Sequence, residues 1–151
     1  MNAPVFGNPD QALIDRFVQQ GSAAMAVDSN PMAQALQSTL LRVDRDLGEV
    51  EIVFEPASLF IQGTGVLQGG AVTAMLDFAM AFATLAKLPP QGSCATANLN
   101  TSFLRAAPQG RYRAIGVVDR CGRTMAFARA QLLEEASGKL VATASSSLVV
   151  L

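Results

Sequence analysis

Histidine is absent from all 151 residues of the chain. That excludes Ser-His-Asp and Cys-His nucleophilic catalysis, histidine general-base mechanisms and most transition-metal sites. Any acid–base chemistry therefore falls to a carboxylate. Tryptophan is also missing, so eight phenylalanines and one tyrosine supply the aromatic packing. Charge is sparse: Asp, Glu, Lys and Arg make up 15% of the residues, and the net charge is −1. Without a basic cluster, a nucleic-acid partner is not expected, because such binding relies on many Lys and Arg contacts to phosphate. Cys94 and Cys121 are the only cysteines. Two thiols give neither a disulfide framework nor metal-ligand spacing, so free thiols and no metal are expected. The opening MNAPVFGNPDQALIDRF lacks the basic segment and apolar run of a secretory signal. A cytoplasmic protein is the simplest expectation.

What is present is apolar. Half of the residues are hydrophobic, and the length suits one domain over residues 1–151 with a sizeable core. The stretch from Val66 to Ala86 is nearly long enough to span a bilayer. It contains Gln68, Gly69, Gly70 and Asp77, and a central Asp is costly in hydrocarbon. A buried core helix is the better expectation, with no membrane partner.

Along the chain, residues 9–27 read as helical, with Pro9 and Asp10 at the start and Leu13, Phe17 and Val18 roughly on one face. Asn30-Pro31 reads as a break. From Thr39 the period becomes two: Leu41 and Val43 precede a turn at Asp46-Leu47-Gly48, and Val50, Ile52 and Phe54 then alternate with glutamates. Residues 56–68 form a loop. A long apolar helix follows over about 70–87, ending before Pro89-Pro90. Four further strands are predicted at 93–104, 111–120, 124–134 and 140–151, separated by turns at Cys121-Gly122 and Ser137-Gly138. This order predicts an α+β fold, with an antiparallel sheet of about six strands and a long central helix on one face.

One constellation carries chemistry. Asp77 is the only charged residue between Glu55 and Lys87. Among Met75, Leu76, Phe78, Ala79 and Met80, its carboxylate should be desolvated and its basicity raised, unless amides or an arginine satisfy it. Gly69-Gly70 at the helix start leave backbone amides uncovered for a ligand oxygen, where the helix dipole favours negative charge. Such amides can stabilise the oxyanion formed when an acyl group is attacked, although glycines there often serve only tight packing. Gly69 and Asp77 lie eight residues apart, about 12 Å along a helix. That is too far to act on one carbonyl carbon. Either the glycines and Asp77 do not form one site, or the amide of one subunit faces Asp77 of another, as two antiparallel helices about a two-fold axis would arrange them.

Gly69-Gly70 with Asp77 seven residues after the second glycine resembles the helix signature of hotdog-fold acyl-CoA thioesterases. The branch it is most similar to is the PaaI-type and 4-hydroxybenzoyl-CoA thioesterase group. The likeness runs from about Val50 to the C-terminus. It includes the stretch from Asn98 to Ala107 (NLNTSFLRAA), Gly110, and the Gly122-Arg-Thr-Met-Ala-Phe strand entry. The resemblance implies a hotdog fold and hydrolysis of an acyl-CoA to free acid and CoA, with coenzyme A present only as part of the substrate. It implies Asp77 as general base or nucleophile, and the Gly69 amide, helped by Gly70, as donor to the thioester oxygen. Gln62 matches a position near the thioester. Thr96 matches a strand hydroxyl contributed across a dimer to hold the attacking water. Gln68 departs from the family's usual histidine: its amide can polarise a carbonyl but cannot titrate. Arg105, Arg120 and Arg123 suit coenzyme A phosphates, although each could equally be a solvated edge residue. Gly122 and Thr124 adjoin them, Thr124 at a position that contacts coenzyme A in the family. A homodimer, arranged as a dimer of dimers, is implied.

Other readings compete. A hotdog hydratase would ordinarily pair a carboxylate with histidine, which this chain lacks. A non-catalytic protein that binds acyl-CoA is kept open by Gln68. Cys94, Cys121 and the run Ser145-Ser146-Ser147 have no activating base. Met75 and Met80 are most simply core or acyl-tunnel lining, and Phe78, Phe82, Met80 and Leu85 could line either a flat aromatic pocket or an aliphatic tunnel.

Overall fold

The computed structural model describes residues 5–21 and 23–151. Its elements are α1 (Pro9–Gln19), β1 (Met25–Ala26), α2 (Pro31–Ala35), β2 (Thr39–Asp44), β3 (Glu49–Phe54), α3 (Gly69–Lys87), β4 (Cys94–Phe103), β5 (Tyr112–Cys121), β6 (Met125–Glu134) and β7 (Leu140–Val150). The strands form one antiparallel sheet in the order β1-β2-β3-β5-β6-β7-β4. α3 therefore carries the chain from β3 across the sheet to β4, on the far edge beyond β7. The long helix packed on an antiparallel sheet is the arrangement the sequence predicts, and the two-residue β1 is the strand beyond the expected six.

The reason α3 can lie so close is written in small residues. The inward positions of the central strands are Ala114 and Gly116 on β5, Ala126, Ala128 and Ala130 on β6, and Ala142 and Ala144 on β7. Against this shallow floor α3 lays Met75, Leu76, Ala79, Met80, Phe82 and Ala83, all essentially without solvent exposure. A Cβ at Gly116 would sit 2.2 Å from the Ala79 carbonyl oxygen, so helix backbone and strand backbone meet there directly. Burial of these side chains supplies the main stabilisation, about 1.5–3 kcal/mol for each large one. α3 is apolar enough by length and composition to cross a membrane, but most of it is enclosed by the fold.

Three expectations need correcting. The first helix stops at Gln19, where the Gln20 amide donates back to the Arg16 and Val18 carbonyls and Gly21 turns to φ +84. Gln19-Gln20-Gly21 offers no apolar face and ends in a glycine suited to the left-handed conformation, so helix cannot continue to Val27. Ser22 and residues 1–4, which the predicted helix and the N-terminal reading include, lie outside the described residues. Asn30-Pro31 is a helix start rather than a break: the Asn30 side chain accepts from the Ala33 amide, and Pro31 takes the first position of α2. Finally, Phe82 and Leu85 are core residues rather than pocket lining, while Met75 and Met80 take the core place that was one of their two readings. Of the proposed pocket-lining side chains on α3, only Phe78 reaches the surface.

Candidate active site

Gln68 caps α3 in an unusual way. Its backbone carbonyl accepts from the Ala71 and Val72 amides, while its side-chain Oε1 accepts from the Gly69 amide at 2.6 Å. The Gly69 N–H, expected to be open, is occupied by its neighbour. The Gly70 N–H has no acceptor among the described residues. The two glycines also differ in their surroundings. A Cβ at Gly69 would meet the Phe103 ring at 3.3 Å, whereas at Gly70 it would meet open space. Phe103, from the end of β4, thus shields one side of the helix start, and Gly70 leaves the other side clear.

Beside this helix start lies a cleft of about 400 Å³, lined among others by Gln62, Gly69, Val72, Phe103 and Arg105. Three residues singled out from the sequence, Gln62, Gly69 and Arg105, therefore share one cavity wall. Its size is within the range of small-molecule sites. Gln62 arrives there on a tight turn: its amide donates to the Val66 carbonyl, and its own carbonyl accepts from Gly65, whose φ is +82.

Asp77 lies two turns further along α3. It is half-buried, on the stripe that includes Thr73, Ala74, Phe78 and Ala81 rather than on the face pressed to the sheet. Full desolvation within one chain, expected from its apolar neighbours in sequence, does not occur, because Met75, Leu76, Ala79 and Met80 are buried in the core while Asp77 lies on the half-exposed side. Thr96 of the same chain donates its hydroxyl to Asp77 Oδ1 at 2.8 Å. Within one chain, β4 runs beside α3 and brings this hydroxyl to its own carboxylate. Asp77 Oδ2 has no hydrogen-bond partner among the described residues. A β-bulge between Thr96 and Asn98 breaks the β4–β7 register at this point, and the Ser146 hydroxyl donates to the Asn98 carbonyl. Bulges re-aim side chains, and this one lies just past Thr96. A second pair, Thr73 with Thr101 at 3.1 Å, continues the polar seam between α3 and β4. The sequence sets Ser146 aside and passes over Thr73, since a hydroxyl in a strand or helix pattern has no distinctive signal.

Arg120, Gly122, Arg123 and Thr124 gather at the other end of α3. Gly122 and Arg123 line a groove of about 640 Å³ with Lys87, Leu88, Pro89, Cys121 and Val150. Along a helix of nineteen residues this is about 27 Å from Gly69. Within one chain, then, the glycine cleft, Asp77 and the arginine turn are three separate places. Lys87, which joins Arg123 in this groove, is not anticipated from the sequence.

Cys94 sits near Asp77 on β4. Burial first, and the Asp77 carboxylate second, push its thiol up to about 11, so it is protonated near neutral pH and unreactive. Among the described residues no group of three Cys, Asp or Glu side chains is arranged to hold a metal.

Comparison with known proteins gives a consistent picture. Residues 64–141 match the family model described as the thioesterase superfamily. No curated protein sequence matches the chain. Among solved structures, a phenylacetic acid degradation-related protein of Ralstonia eutropha JMP134, described as a candidate thioesterase, is 32% identical over 94% of this chain and 99% of its own, with a TM-score of 0.78. A point mutant of the phenylacetic acid degradation protein PaaI from Thermus thermophilus is 25% identical, covering 80% of this chain and 98% of its own at a TM-score of 0.70. PaaI from Escherichia coli, at 17% identity, 94% coverage of both chains and a TM-score of 0.74, shares the fold.

Proposed function

The chain belongs to the thioesterase superfamily and has its hotdog fold, and on that premise we propose that it hydrolyses an acyl-CoA to a free acid and CoA. The observation that carries this reading is the Asp77 carboxylate, anchored through Oδ1 by Thr96 with Oδ2 left without a partner among the described residues. A free carboxylate oxygen on a rigid helix, in a chain without histidine, is what a water-activating base requires. Asp77 takes a proton from water as the water oxygen attacks the thioester carbon. The carbonyl oxygen becomes an oxyanion held by helix-start amides. Collapse then breaks the C–S bond, and the proton passes from Asp77 to the departing CoA sulfur. Asp77 acting first as nucleophile, to form a mixed anhydride that water cleaves, uses the same geometry.

The donors are the Gly70 amide and, once the thioester oxygen displaces the Gln68 side-chain oxygen, the Gly69 amide. Separation of about 12 Å along one helix supports a site shared between two copies, with the glycines of one facing Asp77 of the other. The half-exposed stripe of α3 with its small residues Gly70, Ala74 and Ala81 suits close approach of a second helix, and β4 is a ten-residue edge strand of the kind that seeks a partner. The same antiparallel arrangement would carry Arg120, Gly122, Arg123 and Thr124 of one copy toward the cleft of the other. There, with Arg105, they would bind coenzyme A phosphates. Two such dimers pairing complete the assembly in this reading.

Asp77→Asn is the test. It should lower kcat for acyl-CoA hydrolysis by roughly 10²–10⁴-fold with an unchanged melting temperature, measured by thiol release across acyl-CoAs of differing length and aromaticity. Hydrolysis at the wild-type rate would remove Asp77 from the mechanism. A second reading, acyl-CoA binding without turnover, is favoured by the Gln68 side-chain oxygen seated on the Gly69 amide. Tight acyl-CoA binding by the wild-type chain with no thiol release would establish that reading instead.

A further inference from the structure

Gln62 reaches the cleft on a three-residue hairpin loop, Gly63-Thr64-Gly65. The loop is closed by the Gln62 amide on the Val66 carbonyl and the Gly65 amide on the Gln62 carbonyl, with an isolated bridge between Ile61 and Leu67 behind it. Gly65, at φ +82, supplies the left-handed residue that such a loop requires. The loop brings Thr64 back over the Gln62 side chain, where its hydroxyl donates to Gln62 Oε1 at 2.9 Å. A primary carboxamide has one carbonyl oxygen and one NH₂ group. With the oxygen tied to Thr64, the NH₂ is the group left without a partner among the described residues, and Gln62 lines the same cavity as Gly69.

We propose that Thr64 is a positioning residue for thioester hydrolysis: it anchors the Gln62 carboxamide by its oxygen, which leaves the NH₂ to be presented to the thioester carbonyl. The inference rests on the hydrolase reading above. In the opposite orientation the Gln62 oxygen would face the developing oxyanion and repel it. A hydroxyl can donate to the amide oxygen or accept from its NH₂, so the thioester oxygen selects the donating arrangement and the Thr64 hydroxyl acts by holding the side chain at the cleft wall, its NH₂ free. An amide whose oxygen accepts a hydrogen bond is also polarised into a better donor. Thr64 itself need not touch the substrate.

The test is a cycle in Thr64 and Gln62, read as steady-state hydrolysis of an acyl-CoA that the wild-type chain turns over. Thr64→Val keeps the branched shape in an exposed turn and deletes only the hydroxyl. It should lower kcat roughly two- to tenfold, the scale of one hydrogen bond, with KM little changed. Thr64→Ser should restore kcat. In a Gln62→Ala background, Thr64→Val should have no further effect, because nothing is left to hold. A Thr64→Val enzyme with wild-type kcat, a Thr64→Ser enzyme no better than Thr64→Val, or a loss that persists without Gln62 each overturns the proposal while leaving hydrolysis itself established. Absence of thiol release by the wild-type chain across the acyl-CoA panel overturns the hydrolase reading, and this role with it.

Discussion

Gln68 stands where the family's usual residue is histidine, and its position shows what that exchange does physically. Histidine can carry a proton, whereas a carboxamide offers a neutral oxygen and two neutral N–H donors. In this chain the oxygen is used locally, on the Gly69 amide, the donor proposed above for the thioester oxygen. On that proposal substrate competes with it. Gln68→Ala should lower KM for acyl-CoA a few-fold, on the scale of one exposed hydrogen bond, without a matching loss in kcat. Michaelis curves for the two proteins decide this, and a raised KM would mean that Gln68 binds substrate rather than competing with it. Asp77 illustrates the complementary case. Its sequence neighbours are apolar, but on a helix neighbours in sequence point in different directions, and Asp77 shares its face with Thr73 and Ala81 rather than with Met75 and Met80. Its partner, Thr96, lies on a strand nineteen residues on.

At the scale of elements, the seat of α3 on the sheet decides where every one of these groups lies. Gly116 is the point of closest approach, with the Ala79 carbonyl where a Cβ would be. Gly116→Ala should therefore push α3 off β5. The expected cost is about 1–3 kcal/mol of stability, a fall in melting temperature of several degrees, and weakened hydrolysis as Asp77 shifts from Thr96. Thermal unfolding followed by circular dichroism measures this, and an unchanged melting temperature would show that the backbones separate easily. The β2–β3 hairpin was legible from alternation, because residues on a half-buried strand report their own environment in every second position. The later strands were legible from the turns that separate them, whereas the two-residue β1 was not legible. The end of α1 and the existence of α2 were harder to read. A helix of five residues has too little periodicity to register, and a proline that starts a helix looks the same in sequence as one that ends it.

At the scale of the whole molecule, the glycine cleft, Asp77 and the arginine turn are set apart along one chain, and a second copy would bring them together. This has a direct consequence. Asp77→Ala and Gly69→Val homodimers should each be inactive. Mixed in equal amounts under conditions that allow subunit exchange, they should recover about a quarter of the wild-type activity, since half of the dimers are then mixed and each mixed dimer holds one intact site of its two. Thiol release before and after exchange reads this out, and recovery that stays at zero would place both groups in one subunit's site.

By itself the sequence determined the class of fold, the long helix, the carboxylate and the glycines, and through the absence of histidine the kind of acid–base chemistry open to the protein. These are properties of residue type and local spacing, which survive without knowledge of contacts. Only the tertiary structure decided that the Thr96 hydroxyl reaches the Asp77 of its own chain, and that Gln62, Gly69 and Arg105 line one cleft. A hydrogen bond depends on where two side chains meet to within a few tenths of an ångström. Spacing along the sequence narrows that meeting point only within a single turn or helix; across α3 and β4 it is set by how the elements pack.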